Sequence, residues 1–329
     1  MLEAWGKASA RPTTKKRLVF LLKLLISVAA IAVLLRSISL REVGTIISGI
    51  DVIPLAAAAA IFLVAQIISA QRFLYVVRTI GRRIVFLESV RVHFIGLLFN
   101  QVLPSSLGGD VVKVLMFRQQ LGLGRAIRST ILDRAFGLMM LMLSVLLFLP
   151  LYQALFNQPM LTFWLAVMAT GFFLILFTAI FMAGRRSIRR IFPRSLGIFP
   201  LLLRDIRRFR FPRPLFEQFW TSLIVHINGI VAYALIGESL GIALNWWFYV
   251  LLVPLVFLVA LLPFSFSGWG LREIGAVELF ALVGIPAEQA FTVSVLFGFL
   301  LIVVSLPGAV VLLSSQTFRL RKFLQGETG

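Results

Sequence analysis

Long apolar runs, separated by short and mostly arginine-rich connections, dominate the sequence. Several runs approach the roughly 20 residues that a membrane-spanning helix needs, and few charged residues lie inside them. This pattern predicts an all-α polytopic membrane protein with about six to eight transmembrane helices. The predicted spans cover, in chain order, residues 18–35, 52–70, 126–150, 160–183, 215–236, 246–262 and 291–313.

Two polar, glycine-rich stretches interrupt the apolar pattern. The first, N-Q-V-L-P-S-S-L-G-G-D from Asn100 to Asp110, lies within residues 92–122, between apolar runs that are each too short to cross a bilayer. The second, L-P-F-S-F-S-G-W-G-L-R-E from Leu262 to Glu273, begins a broken segment that ends at residue 283. This segment either is re-entrant or crosses the membrane as a short helix. Backbone that leaves its helix at membrane depth needs protein or water around it, so both breaks predict a cavity. The alternative is a surface loop between two amphipathic helices.

The distribution of basic residues predicts the orientation of the chain. Residues 184–214 contain ten arginines and one aspartate, which is typical of a cytoplasmic loop, whereas residues 237–245 contain no lysine or arginine. The predicted organisation therefore has five parts: a basic cytoplasmic N-terminus (1–17), a first membrane half (18–183) with a re-entrant segment (92–122), the arginine-rich loop (184–214), a second membrane half (215–313) with a broken helix (262–283), and a cytoplasmic tail (314–329).

The two breaks resemble each other. In both, a Leu-Pro pair precedes serine and glycine residues and then a pair of charged residues, and the topology brings one break in from the inside and the other from the outside. Paired interrupted segments in opposed halves are typical of transporters built from inverted repeats. Chance recurrence of these short motifs is the alternative.

Composition limits the chemistry. The chain is 60% hydrophobic with a mean hydropathy of +1.00, and its net charge of +19 lies mainly in connections, so anionic lipid and not nucleic acid is the expected partner. There is no cysteine, and the only two histidines are His93 and His226, so we expect no metal. We also expect no cofactor. The chain lacks the ATP-binding motif G-x-x-x-x-G-K-[ST], so any energy is expected to come from an ion gradient, a partner or the lipid gradient itself. His226 and Asn228 are expected to bond between helices.

Four ordered motifs carry a family resemblance. The two break sequences, R-S-T-I-L-D-R-A-F-G-L at Arg128–Leu138 and P-G-A at Pro307–Ala309 resemble the lysylphosphatidylglycerol synthase transmembrane region family, a flippase-like domain that also occurs as stand-alone bacterial inner-membrane proteins, including hopanoid-associated members. The resemblance implies movement of a lipid between leaflets. In larger members a soluble C-terminal domain makes the lipid; because this chain ends at Gly329, we expect neither that domain nor synthase activity.

A lipid phosphate that crosses the membrane needs hydrogen-bond donors and positive charge inside the protein. Arg134 and Arg272 are the first candidates for phosphate binding, because guanidinium binds phosphate through two hydrogen bonds, and Lys113 is the third. Because adjacent residues do not share a helix face, each member of the Asp133–Arg134 and Arg272–Glu273 pairs is expected to find a partner elsewhere. The full set of predicted substrate-binding residues is Asn100, Gln101, Pro104, Ser105, Ser106, Gly108, Gly109, Asp110, Lys113, Asp133, Arg134, Ser265, Ser267, Gly268, Gly270, Arg272 and Glu273.

Three functions fit these observations. The first is a lipid flippase or transporter, not an enzyme, that moves an anionic or isoprenoid-type lipid across the inner membrane. The second is an integral-membrane transferase acting on a lipid-linked substrate, although the sequence shows only isolated acids where Mg²⁺ would need clustered carboxylates. The third is a non-catalytic membrane partner that recruits a lipid-synthesis enzyme through the basic loop.

Overall fold

The computed structural model describes residues 25, 28–36, 38–103, 107–184, 199–262 and 267–324. Within these residues the elements are helices joined by turns and short connections. A helical stretch at residues 28–36 is followed by α1 (Leu40–Ser48), α2 (Val52–Thr79), α3 (Phe86–Val102), α4 (Gly108–Leu121), α5 (Leu123–Phe156), α6 (Pro159–Gly184), α7 (Phe199–Ile206) with a 3-10 helix at Arg207–Arg210, α8 (Pro212–Ser239), α9 (Trp246–Ala260), α10 (Leu271–Ala281) and α11 (Ala287–Leu324).

Five helices in the described part of the chain, α2, α5, α6, α8 and α11, are long and apolar enough to cross a membrane. Helix α9 is apolar but has only 15 residues. These helices confirm the predicted all-α polytopic membrane fold. Half of the first predicted span, residues 18–35, lies outside the described residues. The predicted end of the second span at residue 70 is wrong, because α2 continues to Thr79 with the charge of Arg72 buried and paired inside the helix bundle.

The turns that follow α2 and α8 share one backbone design. Both helices have 28 residues, and each is followed by a glycine with positive φ, 82° at Gly81 and 70° at Gly241. Glycine adopts this conformation without the steric cost that a Cβ would add. After each glycine, the next amide donates to a carbonyl in the last turn of the helix: Arg82 to Val77, and Ile242 to Gly237.

Helices α2 and α8 pack side by side and run antiparallel. The amide of Asp51, just before α2, donates to the carbonyl of Ser239 at the end of α8 over 2.8 Å. Closer to the other end, Nε2 of Gln218 on α8 donates to the carbonyl of Arg72 on α2. The first long helices of the two halves therefore point in opposite directions.

A short helix follows the glycine turn in each half. Helices α3 and α4 have 17 and 14 residues, about 25 Å and about 21 Å, so each is shorter than the roughly 30 Å hydrocarbon core. Helix α3 packs against α4 and α11, and α9 packs against α10 and α5. Each half thus places its short helix against the long helix that follows the break in the other half.

The first break is shorter than the sequence suggests. Asn100 and Gln101 belong to the last turn of α3, and Gly108 begins α4, so the connection comprises residues 103–107, of which 104–106 lie outside the described residues. The helices extend further because Oδ1 of Asn100 accepts a 2.6 Å hydrogen bond from the amide of Gly109. One polar side chain thus satisfies a backbone donor that a longer loop would otherwise have to accommodate.

The arginine-rich loop is described only in its second part, from residue 199 onward. Helix α7 and the 3-10 helix pack against α6 and α8. Asp205 on α7 is buried and accepts a 2.6 Å hydrogen bond from Nε of Arg128 on α5. The ring of Phe209 packs against that of Phe136, with centroids 4.8 Å apart and the ring planes tilted by 54°. This part of the loop is anchored to the helix bundle, and its partner Arg128 is buried.

Candidate functional site

Three charged side chains meet between the long helices of the first half. Nε of Arg72 on α2 lies 2.9 Å from Oδ1 of Asp133 on α5, and Nζ of Lys113 on α4 lies 3.7 Å from Oδ2 of the same carboxylate. All three residues are at least nine-tenths buried. Lys113 also lies over the ring of Phe73, 4.8 Å from its centroid. Two cations therefore share one carboxylate in an environment of low dielectric constant, where charge is costly.

Polar groups from other helices surround this cluster. Nη1 of Arg72 donates to Oγ of Ser222 on α8 over 3.4 Å. Nε2 of His93 on α3 lies 3.2 Å from Oε1 of Gln66 on α2, while Nδ1 of His93 is buried and has no hydrogen-bond partner in the described structure. Gly137 faces the guanidinium of Arg72, where a Cβ would come within 3.3 Å of Nη1. The absence of a side chain at Gly137 gives the guanidinium its space.

A second ion pair lies at the start of α4. Arg134, one residue after Asp133 on α5, donates through Nε to Oδ2 of Asp110. The Arg134 side chain is 34% exposed, which makes it the most accessible of the five charged groups in this half of the site. Asp133 and Arg134 therefore do reach different partners, as their adjacent positions predict. Together the five groups are three cations and two carboxylates.

The second break carries a different, self-contained arrangement. Nη2 of Arg272 lies 2.5 Å from Oε1 of Glu273, and Oγ of Ser294 on α11 donates to the same oxygen. The other carboxylate oxygen of Glu273 accepts from the amide of Gly270 over 2.6 Å and so caps α10. Arg272 and Glu273 do find a partner elsewhere, because both bond to Ser294. They also pair with each other, since Ser294 and the Gly270 amide orient the Glu273 carboxylate toward Arg272.

Aromatic rings enclose the Arg272 guanidinium. Its central carbon lies 4.9 Å from the Trp269 ring centroid and 5.9 Å from that of Phe297. Arg272 and Glu273 are at least 97% buried. The turn before them needs left-handed backbone, with φ of 87° at Gly268 and 88° at Gly270. The pair therefore holds the bend at the start of α10 together.

The two breaks touch each other. Oγ of Ser267 donates to the carbonyl of Asn100 over 2.8 Å, although 167 positions separate them in the chain. Ser267 has a φ of 53°, unusual for a residue with a side chain, which aims its hydroxyl at the end of α3. The predicted site residues Pro104, Ser105, Ser106 and Ser265 lie outside the described residues, and Gln101 lies in the last turn of α3.

Sequence reasoning missed Arg72 as a site residue. Arg72 lies close in sequence to Arg78, Arg82 and Arg83, and this group of arginines predicts the cytoplasmic side of the membrane. The apolar residues that continue after Arg72, from Phe73 to Val77, are the signal that the helix does not end there. Of the two residues expected to bond between helices, His226 contacts Ser144 on α5 at 3.3 Å, whereas Asn228 donates to Ile224 of its own helix.

Comparison with known proteins assigns the chain to a family. The family model of the lysylphosphatidylglycerol synthase transmembrane region matches residues 20–308. The chain belongs to this family. Membership indicates a membrane protein involved in lipid handling. Searches of curated proteins and of solved structures found no match. Within the described residues, no three His, Asp or Glu side chains come together as potential metal ligands.

Proposed function

We propose that this protein moves a phosphate-bearing lipid, anionic or isoprenoid-type, between the two leaflets of the inner membrane. The observation that carries the proposal is the buried cluster in which Arg72 and Lys113 share the single carboxylate of Asp133. A second negative group would balance this cluster, and a lipid phosphate supplies one. Family membership supports a role with lipids.

The residues around the cluster support phosphate as the ligand. Arg72 and Lys113 offer charge-assisted hydrogen bonds, and the buried Nδ1 of His93 is without a partner among the described groups. The Arg134 side chain is more accessible than these groups and forms the approach to them. The break between α3 and α4 adds backbone polar groups where a helix is interrupted. We therefore place Lys113 and Arg72 before Arg272 as phosphate partners.

The relation between the halves supports a transport mechanism. Helices α2 and α8 have equal length, end in the same glycine turn and run antiparallel, which is the arrangement that an inverted repeat produces. We propose that the two broken segments are re-entrant from opposite faces and that both termini are cytoplasmic. In this arrangement the chain acts as a transporter and not as an enzyme.

Lys113→Gln is the sharpest test of the proposed site. Lys113 is 3.7 Å from Asp133, which keeps its closer bond to Arg72 when Lys113 is neutralised. Because a hydrogen bond to a charged group contributes roughly 1.5–3 kcal/mol, we expect lipid movement to slow roughly 10- to 100-fold. The measurement is leaflet-resolved translocation of labelled anionic and isoprenoid lipids in proteoliposomes. Arg91→Gln, which removes an exposed arginine from α3, is the control.

The outcomes separate the three candidate functions. Loss of movement in Lys113→Gln but not in Arg91→Gln, with equal thermal stability, supports the transporter. Equal movement by both variants contradicts the role of the cluster. Absence of movement of every lipid tested by the unmodified protein contradicts an autonomous flippase, and directs attention to the membrane transferase or to the partner of a lipid synthase.

A further inference from the structure

Each half of the molecule has a surface recess at its glycine turn. The recess after α2 has a volume of about 810 Å³, and the recess between α8 and α9 has a volume of about 250 Å³. Their lining positions correspond at a constant offset of 160 residues: Arg78 to Glu238, Arg82 to Ile242, Arg83 to Ala243 and Ile84 to Leu244. The same backbone design therefore carries opposite chemistry in the two halves.

The recess after α2 is lined by three arginines. Arg78, Arg82 and Arg83 are exposed, and none of them forms an ion pair within the described residues. A fourth guanidinium lies beside them, because Nη1 of Arg208 donates to the carbonyl of Thr79. A Cβ at Gly81 would come within 3.2 Å of the same nitrogen. Unpaired guanidinium groups around one concave surface are the chemistry that binds phosphate.

The position of this recess selects a lipid as the source of the phosphate. Arg78 belongs to the last turn of α2, which is a candidate membrane span, and the other lining residues follow within five residues of its end. A recess at the end of a span lies at the depth of lipid headgroups. Basic pockets between transmembrane helices on the cytoplasmic side bind anionic headgroups, and this turn is predicted to be cytoplasmic.

We propose that Arg78, Arg82 and Arg83 form a binding site for the phosphate of an anionic membrane lipid, distinct from the buried cluster of Arg72, Lys113 and Asp133. The volume of about 810 Å³ accommodates a phospholipid headgroup with its glycerol. Binding at this recess does not require lipid movement. The counterpart recess, with the carboxylate of Glu238 in place of Arg78, does not bind the same group.

A local probe can test this site. The chain has no cysteine, so Val85→Cys, at a residue that is 67% exposed next to the recess, accepts a single environment-sensitive fluorophore. The labelled full-length protein in phosphatidylcholine nanodiscs is measured at increasing fractions of phosphatidylglycerol, and separately with inorganic phosphate. Each surface arginine contributes about 1 kcal/mol to binding of anionic lipid, so Arg78→Gln, Arg82→Gln and Arg83→Gln together should weaken the response roughly 100-fold.

A matched triple variant controls for diffuse charge. Arg91→Gln, Arg118→Gln and Arg125→Gln together remove the same charge from exposed positions on the same predicted side. We expect the recess variant to lose affinity at least roughly tenfold beyond this control, and Glu238→Gln to leave the response unchanged. Equal losses in the two triple variants would overturn the site. Saturation by inorganic phosphate at the same affinity as the lipid would overturn the lipid assignment.

Two further variants keep the outcome decisive. If the triple glutamine variant does not insert in the membrane, Arg78→Lys, Arg82→Lys and Arg83→Lys together replace it. This variant retains the positive charge and loses the bidentate hydrogen bonding of guanidinium. Unchanged affinity in that variant contradicts the site. Lys113→Gln in the labelled protein separates the two proposals, because it should slow transport roughly 10- to 100-fold and leave the recess response intact.

Discussion

Buried charges serve two different purposes at the scale of single residues. The charges of Arg272 and Glu273 balance each other, and the Glu273 carboxylate also caps α10. Both groups therefore find their partners within the protein. The cluster at Asp133 is not balanced, because both Arg72 and Lys113 approach one carboxylate. Buried charge without full compensation destabilises a fold, so its presence at this position points to a ligand.

Arg272→Ala is expected to destabilise the protein, because it leaves the carboxylate of Glu273 buried without its cation. Breaking a buried pair in this way costs roughly 3–5 kcal/mol. Adding Glu273→Gln removes the stranded charge while retaining an oxygen that can accept from the Gly270 amide, so the double variant should be more stable than the single one. Thermal or detergent unfolding of both variants provides the measurement. A single variant as stable as the unmodified protein would show that the pair is not structural.

At the scale of helices, glycines set how closely the broken segments approach. A Cβ at Gly109 would overlap the carbonyl of Gly96 on α3, and a Cβ at Gly308 on α11 would overlap the carbonyl of Phe94. Both obstacles are backbone atoms, which cannot move without moving α3. The contacts of α3 with α4 and with α11 therefore depend on these two small residues.

Gly109→Ala and Gly308→Ala are each expected to cost roughly 1–3 kcal/mol through overpacking. Gly171→Ala on α6 is the matched control, since a Cβ there would meet nothing within 4 Å and alanine favours helix. Thermal unfolding of the three purified variants distinguishes them. Similar midpoints for all three would mean that α3 adjusts to the added methyl groups without loss.

The sequence predicted where most helices lie more accurately than it predicted which side chains contact each other. Hydropathy identified α2, α5, α6, α8 and α11, because a span is a local property of about 20 residues. Arg72 was missed because its partner Asp133 lies 61 residues away and only the fold brings them together. The break after α3 was predicted too long. The hydrogen bond from the Gly109 amide to the Asn100 side chain lets α3 and α4 extend into the polar sequence.

At the scale of the whole molecule, the two halves of the chain are arranged in opposite directions. Their long helices α2 and α8 are antiparallel, their glycine turns share one hydrogen-bond pattern, and their short helices exchange contacts with the opposite half. If the halves are inverted in the membrane, the turn after α2 and the turn after α8 lie on opposite faces. The arginine recess and its counterpart at Glu238 would then open toward different leaflets.

This orientation can be measured because the chain has no cysteine of its own. Val85→Cys and Ala243→Cys place one thiol in each glycine turn, at exposed positions, and Gln158→Cys in the short connection between α5 and α6 serves as the outer reference. In spheroplasts of the expression host, a membrane-impermeant maleimide should label positions 243 and 158 directly and position 85 only after permeabilisation. The positive-inside distribution of arginines is the physical reason for this expectation. Labelling of positions 85 and 243 from the same side would make the halves parallel in the membrane, and would remove the inverted arrangement on which the proposed transport mechanism depends.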